Sequence, residues 1–479
     1  MTARIIPQRW IIVMISSFAL LYLYAMRSFL PITMTQMTGA VNNASKYANS
    51  ICLFNEDPMM FRDLPENMTI SIDGHFHWTA HIQGVILSSY YWTYLVTNLL
   101  GDLVVRKIGS KQTLNYSILI SVILMLVTPI SVTLGDYTAL IFLRAMTGIA
   151  GGVVMPAVAV LLARWIPLSE RSTATTLAIA GATLGNVFGM VVPGYILEYV
   201  QDGWPIVFYF FGISGVLFFV INCIFCSNKP SQNPSAPAAD DKWSQGKLEC
   251  DHTDSPPTPW QSILTSKPVW ALILMETSST WGLTILSTGV PKYMDSILRF
   301  SVKDNGLFSS LPYLCMWICG FISAAISDWQ IAKGKLDVTT ARKTFATISS
   351  LGLSVFIVAA SFAGCNRYLA VILITIGFMM NGCSYCSIKV NAWDLGPNYV
   401  GALSGVTNGI STLSGIVAPY LIGVLTSHQT ISEWQFIFCI TFAIFVVSNI
   451  VFLVFGSGEP QIWNDSRKVN EDTDKVERV

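Results

Sequence analysis

SNKPSQNPSAPAADDKWSQGKLECDHTDSPPTP, residues 227–259, is rich in Pro, Ser and Asp and has no apolar periodicity. Such a composition cannot bury enough apolar surface to offset the entropy of ordering it, so the stretch reads as a flexible linker. Outward from it on both sides the chain changes character. Residues 12–23, 114–127 and 206–226 before it, and 371–380 and 436–455 after it, carry almost no charge. A bilayer core is crossed by about 20 apolar residues in helical form. Twelve windows qualify, near 10–33, 81–105, 113–134, 137–162, 173–197, 205–226, 268–290, 305–329, 344–363, 368–391, 400–426 and 434–456. Six precede the linker and six follow it. The expected organisation is a six-helix half (1–226), a linker (227–262), a second six-helix half (263–456) and a tail (457–479).

Charged residues make up 12% of the chain, about half the share usual in soluble domains, and hydrophobic residues make up 52%. This is the composition of an all-α, multi-pass membrane protein whose medium is the lipid bilayer. No nucleic-acid partner is expected, and a monomer is. No Walker A, HExxH or GxSxG pattern stands in a plausible setting, so neither an enzyme nor a resident cofactor is expected. His75, His77 and His81 form the one metal-like group, and they read better as solvated histidines. The first window is too long for a cleaved signal peptide and no A-x-A-like site follows it, so it reads as a retained helix. Most of the ten cysteines sit in spans as small buried hydrophobes. Cys52 and Cys365 face outward, and a bridge between them is left open.

Twelve spans put both termini on one side, and the positive-inside rule says which. With a cytoplasmic N-terminus, the cytoplasmic tails and loops hold 19 Lys/Arg and the opposite side holds six, while Arg27, Arg144 and Lys389 fall inside spans. Sequons at Asn43 and Asn67 lie in the long 34–80 loop on the non-cytoplasmic side and are expected to carry sugar. Those at Asn115 and Asn464 fall at the inner face and should stay bare. The N-terminal tail has no acidic dileucine signal, which favours the plasma membrane over a lysosomal or vesicular address.

The halves echo one another. Gly181, Gly185 and Gly189 recur at four-residue spacing before Pro193, and Gly401, Gly405 and Gly409 recur before Gly415 and Pro419. Small residues four apart make a stripe along which another helix can approach closely. Matching stripes suggest an internal repeat, compatible with a polytopic transporter or with a receptor-like bundle. RAMTGIAGGVVMP, residues 144–156, then places a full charge at the head of a glycine-rich span. Arg144 shares a helix face with Gly148, Gly151 and Gly152. A charge in the bilayer costs about 2.5 kcal/mol or more and usually points into the bundle or a wet cavity. Small neighbours would leave such a cavity open, and a planar guanidinium suits a carboxylate or phosphate. Snorkelling to the outer interface is the competing reading, for Arg144 and for Arg27 alike.

Several stretches resemble solute carrier family 17 of the major facilitators, the anion carriers that include sialin, type I phosphate cotransporters and vesicular glutamate transporters. They are WTAHIQGVILSSYYWTY (78–94), RKIGSK (106–111), RWIPLSERS (164–172), PKYMDSILRFSVKDNGLFSSLPYL (291–314), NAWDLGP (391–397) and GEPQIW (458–463). The resemblance runs from about residue 18 to 463. It implies a major facilitator fold of twelve helices in two rocking halves, and a secondary active transporter of small organic or inorganic anions. It also implies that the arginine matching Arg144 lies on the anion path. Arg106, Lys107, Glu170 and Arg171, with Asp394, are expected in gating contacts between helix ends. Tyr22, Tyr90, Tyr91 and Trp281 are candidate cavity-lining aromatics beside Arg27 and Arg144.

The departures from the family matter as much. Proton-coupled members carry glutamates three and seven residues after the fourth-span arginine, where this chain has Thr147 and Gly151. Phe29 stands where relatives have an asparagine after the first-span arginine, Thr280 where glutamate carriers have a seventh-span arginine, and Leu87 where they have a histidine. Coupling to Na⁺ or H⁺ therefore does not follow from membership, and a transport-inactive relative acting as receptor or scaffold is the alternative. Glu276 is the sole acid well inside a span. A buried carboxylate must pair, bind a cation or take a proton, which makes it the coupling candidate. Hydrogen bonds to Ser279 and Thr280 are the structural alternative. Lys389 is expected to snorkel or to pair with Asp394.

Overall fold

The computed structural model describes residues 8–38, 41–42, 70–71, 75–166, 171–200, 202–225, 259–364 and 366–464. Among these, ten segments are long and apolar enough to cross a membrane. One of them, Ser110–Leu162, runs for 53 residues and holds two crossings. Its helical path breaks at Asp136, whose φ of 52° follows directly on Gly135, and Ser117 Oγ then donates to Ala150 O across the folded-back arms. Ala80–Ile108 is a more polar helix of 29 residues. With it the arrangement reaches twelve crossings, six on either side of the linker. Among the described residues the bundle is helical except for one feature the sequence reading missed. Val41–Asn42 pairs with Ile70–Ser71 in a two-residue antiparallel ladder, too short to show an alternating pattern.

Helix starts follow from local side-chain chemistry. Thr79, Ser301, Asp337 and Asn366 each accept a bond from the amide three residues on, as Asp337 does from Thr340 N at 3.0 Å. Thr430 and Glu433 form a reciprocal capping box at the start of the last span. Each such cap is worth about 1 kcal/mol.

The fifth-span glycines do what their spacing suggests. A side chain on Gly181, Gly185 or Gly189 would collide with the backbone carbonyls of Ser17, Leu21 and Ala25 on the first span. The matching stripe in the eleventh span does not repeat this. Gly405 faces open space and Gly409 meets only the Leu99 side chain, while the seventh span is reached through Ser414 Oγ, which donates to Thr277 O at 2.9 Å. The repeat is one of architecture, not of glycine function.

The two halves are sealed against each other at one end, termed outer, opposite the end where the helices beginning at Gln8 and ending at Phe455 have those residues. A Cβ on Gly84 would lie 3.1 Å from the Cα of Gly423, and one on Gly194 would lie 3.2 Å from the Cα of Gly306. Lys303 Nζ sits 5.4 and 5.5 Å over the rings of Tyr195 and Tyr199, crossing from one half to the other.

Candidate functional site

Arg144 does not snorkel. It is 3% exposed, and its Nη1 donates to the carbonyl of Met26 on the first span at 3.2 Å. The guanidinium lies 5.1 Å over the Tyr90 ring. Its Nε has no hydrogen-bond partner, and among the described residues no carboxylate pairs with it. The small residues beside it play a different part from the one expected. Gly148 abuts Tyr90 O and Gly151 the Tyr90 hydroxyl, and Gly152 abuts the Thr97 hydroxyl. They bring the second span close instead of leaving a cavity, and so press the tyrosines up to the arginine.

Arg27, one residue beyond Met26, is half-buried. Its guanidinium lies 4.9 Å over Tyr91 and 5.4 Å over Tyr24, its Nε also lacks a partner, and it stands within electrostatic reach of Arg144. Tyr90 is set edge-on to Tyr91 and stacks on Tyr94, with centroids 5.4 and 5.5 Å apart, and its hydroxyl is buried without a partner. The second half completes the enclosure. Gly415 receives the Tyr91 ring, Tyr313 comes within reach of Arg27, and Tyr385 OH lies 3.2 Å from Thr183 Oγ1. Two cations thus share one box of tyrosines, drawn from both halves.

Charges in the second half are arranged differently. Glu276 accepts from Lys389 Nζ, in place of the alternative serine and threonine bonds of Glu276 and of the snorkelling or Asp394 pairing expected of Lys389. Asp394 instead receives Arg342 Nε at 2.7 Å and Nη2 at 3.4 Å, while Arg342 Nη1 donates to Cys386 O at 2.6 Å. Arginine prevails there because its fork matches a carboxylate bidentately and a lysine's ammonium does not.

Two other expectations are relocated, while His75, His77 and His81 stand exposed as solvated histidines would. Trp281 is not in the box: its Nε1 donates to Thr441 Oγ1 at 3.1 Å, inside the packing of the seventh span on the twelfth. Tyr22 turns the other way, its hydroxyl donating to Phe211 O at 3.1 Å. His75 pairs with Asp202 at 2.7 Å and His81 meets the Tyr420 ring, and among the described residues no three His, Cys, Asp or Glu side chains group to hold a metal. Lys107 is exposed. The side chains of Arg106 and Arg171, and all of Glu170, Asn43, Asn67, Cys52 and Cys365, lie outside the described residues. Asn115 and Asn464 are engaged internally, with Asn222 and Asn398. The sequence reading overlooked Tyr24, Tyr94, Tyr313, Tyr385 and Arg342. Tyr24 and Tyr94 stand one helical turn from Arg27 and Tyr90, a spacing that could have flagged them; the others have no local signal.

The family model described as Major Facilitator Superfamily matches residues 67–419. The chain belongs to that superfamily. Within it the sequence is 36% identical to a putative inorganic phosphate cotransporter of Drosophila ananassae across 84% of each chain. It is 37% identical to human sialin across 81% of this chain and 78% of sialin. This major facilitator is therefore a member of solute carrier family 17, as its motifs implied. The fold agrees with solved transporters of distant sequence. A bacterial homologue of the human lysosomal transporter Spinster, inward-facing and occupied, aligns with TM-score 0.68 at 10% identity over 94% of this chain and 97% of its own. A D-xylose–proton symporter aligns with TM-score 0.68 at 13% identity over 94% and 98%. As a major facilitator the chain is a multi-pass membrane protein with a transporter role.

Proposed function

We propose that this major facilitator is a secondary active carrier of a small organic or inorganic anion of the carboxylate or phosphate class, working by alternating access. The observation that carries the reading is Arg144, buried among tyrosines with an unbonded Nε, beside the half-buried Arg27. Burying one arginine at mid-membrane costs about 2.5–3.5 kcal/mol. A charge-assisted bond to Met26 O returns about 1.5–3 kcal/mol, and a desolvated ring face up to about 2 kcal/mol. Those terms roughly balance for Arg144 alone. They leave nothing to offset the repulsion of a second guanidinium, and an anion between the two would do so. Tyrosine hydroxyls such as that of Tyr90 would complete its hydrogen bonds. The charge split of the loops supports cytoplasmic termini, and the cell surface is part of the proposal.

The test is flux. Purified protein in liposomes is offered phosphate, urate, sialic acid, glutamate and aspartate. Uptake of at least one is expected, with loss of that uptake in Arg144→Ala. A wild type that carries none of the five while properly folded would favour a transport-inactive receptor or scaffold instead.

A further inference from the structure

Glu276 is one of three charged side chains buried among the described residues, with Arg144 and Arg342. Its pair with Lys389 is lopsided: the Glu276 side chain is 4% exposed and that of Lys389 37%. The carboxylate is fixed in the wall, and the ammonium stands at the edge. Beside the pair, Ser404, Thr407 and Asn408 of the eleventh span line a cleft of about 30 Å³. That is space for one or two waters and too little for a phosphate or an organic anion. On the other side Lys389 is within electrostatic reach of Tyr24 and Tyr385, and the Tyr24 ring underlies Arg27. The tyrosine layer at Tyr24 therefore links Lys389 to Arg27.

The backbone gives this lysine freedom that a continuous helix would deny. The tenth span breaks after Asn381 into a 3₁₀ turn at Gly382–Ser384 and resumes only at Ile388–Leu395, with Lys389 on the short second piece. Broken helices near mid-membrane are where facilitator-type carriers place ion and substrate contacts. Nine residues separate Glu276 from the inner helix end at Lys267 and nineteen separate Arg27 from Gln8, so Glu276 lies about 14 Å and Arg27 about 28 Å along their helices. The pair stands on the inner side of the tyrosine box.

The groups facing Glu276 are few. The tenth span supplies Lys389 and Tyr385, and Tyr24 of the first lies within electrostatic reach of both. The eleventh, 400–425, has no charged residue, and the twelfth, 431–455, has only Glu433, committed to its outer cap. Arg342 of the ninth span is committed to Asp394. No second cation among these can replace Lys389 if it leaves.

We infer that Lys389 is a third anion-binding cation, held in reserve by Glu276, and that Glu276 is the proton site of the carrier. This deepens the anion-carrier reading and rests on it. As the halves rock, an anion leaving the space between Arg27 and Arg144 moves inward past Tyr24 and meets the ammonium of Lys389 there. The Lys389–Glu276 bond breaks and a Lys389–anion bond forms, with the ammonium keeping all its protons. Glu276, left buried without a counter-charge, takes one proton from water on the inner side. The formal charges explain the ratio. Three cations and one carboxylate leave two net positive charges before binding; three cations, one monovalent anion and a neutral Glu276 leave the same two after it. One proton thus travels with each monovalent anion, a role the missing acids at Thr147 and Gly151 cannot fill.

The experiment uses the full chain in liposomes with a trapped pH dye, and an external mixture of phosphate, urate, N-acetylneuraminate, glutamate and aspartate. Labelled uptake is followed in parallel. Wild type should acidify the interior as label enters. Glu276→Gln should exchange label within about twofold of wild type, with half-saturation unchanged or lower because Lys389 is free, and should lose the acidification. Lys389→Gln should lose the acidification too, with half-saturation raised about tenfold, the worth of one charge-assisted contact. Wild-type uptake without acidification, acidification by Glu276→Gln, or unchanged half-saturation in Lys389→Gln would overturn the inference and leave the anion reading standing. No uptake of any of the five by wild type would overturn both. Should Glu276→Gln aggregate, the wild-type acidification and the Lys389→Gln half-saturation still decide.

Discussion

Arg144 in the fourth span and Arg342 in the ninth are both buried, yet they are satisfied in opposite ways. Arg342 is gripped by Asp394 through two nitrogens and by the Cys386 carbonyl through a third. Arg144 has one carbonyl and a ring face. The same contrast separates the halves. Among the described residues both buried charged groups of the C-terminal half are matched by an opposite charge, whereas the N-terminal half leaves Arg27 and Arg144 to tyrosine. A charge satisfied in the resting fold is part of the scaffold. A charge left short of partners in a low-dielectric box is available to a guest, because whatever completes it need not first break a strong bond. On this view the N-terminal half holds the anion and the C-terminal half answers its arrival.

The strongest test of that division removes each arginine in turn. Arg144→Ala should lower transport on the order of a thousandfold, about 4 kcal/mol, while leaving yield and thermal stability near wild type. Arg144→Lys should recover only part of it, since the lysine keeps the charge and loses the planar fork. Near-normal flux by Arg144→Ala would make Arg144 a structural residue and erase the contrast. Arg342→Ala should show the reverse pattern. It strands Asp394, and thermal unfolding in detergent should report a loss of about 3 kcal/mol. Replacing both partners, Arg342→Met with Asp394→Leu, should restore most of that loss. A stable Arg342→Ala protein would mean that Asp394 finds water or another donor.

What could be read from the sequence follows the same line between regular and irregular structure. Span number and the turn between the windows ending at 134 and starting at 137 were legible because hydrophobic blocks and turn residues act locally. Arg27, Arg144, Tyr90 and Tyr91, which the fold brings together, stood out because charge in an apolar run is conspicuous. Trp281 was misplaced because an aromatic on a span says nothing of which way it faces, and its ring N–H found Thr441 160 residues away. The Lys389–Glu276 pair joins residues 113 apart through a break in the tenth span. No helical periodicity predicts where a helix that stops and restarts will point its next side chain. Asp394 is one of two destinations the sequence offers Lys389, the other being the interface, and the fold gives it the arginine with better geometry instead.

A smaller effect probes how tightly the halves close on the box. Gly415 of the eleventh span lies against the Tyr91 ring, so Gly415→Ala puts a methyl group where ring atoms now are. Overpacking of this kind costs about 1–3 kcal/mol unless the neighbour shifts. Tyr91 is the ring that backs Arg27, so a shift should raise the half-saturation concentration several-fold with little change in maximal rate. Gly405→Ala is the control: that position meets open space, and flux should be unaltered. Equal behaviour of the two variants would show that Tyr91 is not held by the second half.

The finest test concerns one hydroxyl. Tyr90 OH is buried beside Gly151 and has no hydrogen-bond partner, while its ring supports Arg144. Leaving a buried donor unbonded costs about 1–3 kcal/mol, so Tyr90→Phe should leave the fold unchanged or slightly more stable. The ring, and with it the face under Arg144, survives the change. If the hydroxyl serves the anion, losing it should weaken binding by about 0.5–1.5 kcal/mol, a two- to tenfold rise in half-saturation. Stability and affinity would then move in opposite directions, which no purely structural role produces. A fall in thermal stability with unchanged half-saturation would mean that the hydroxyl is bonded in the membrane, for instance through water. Tyr90 would then belong with the paired groups of the other half.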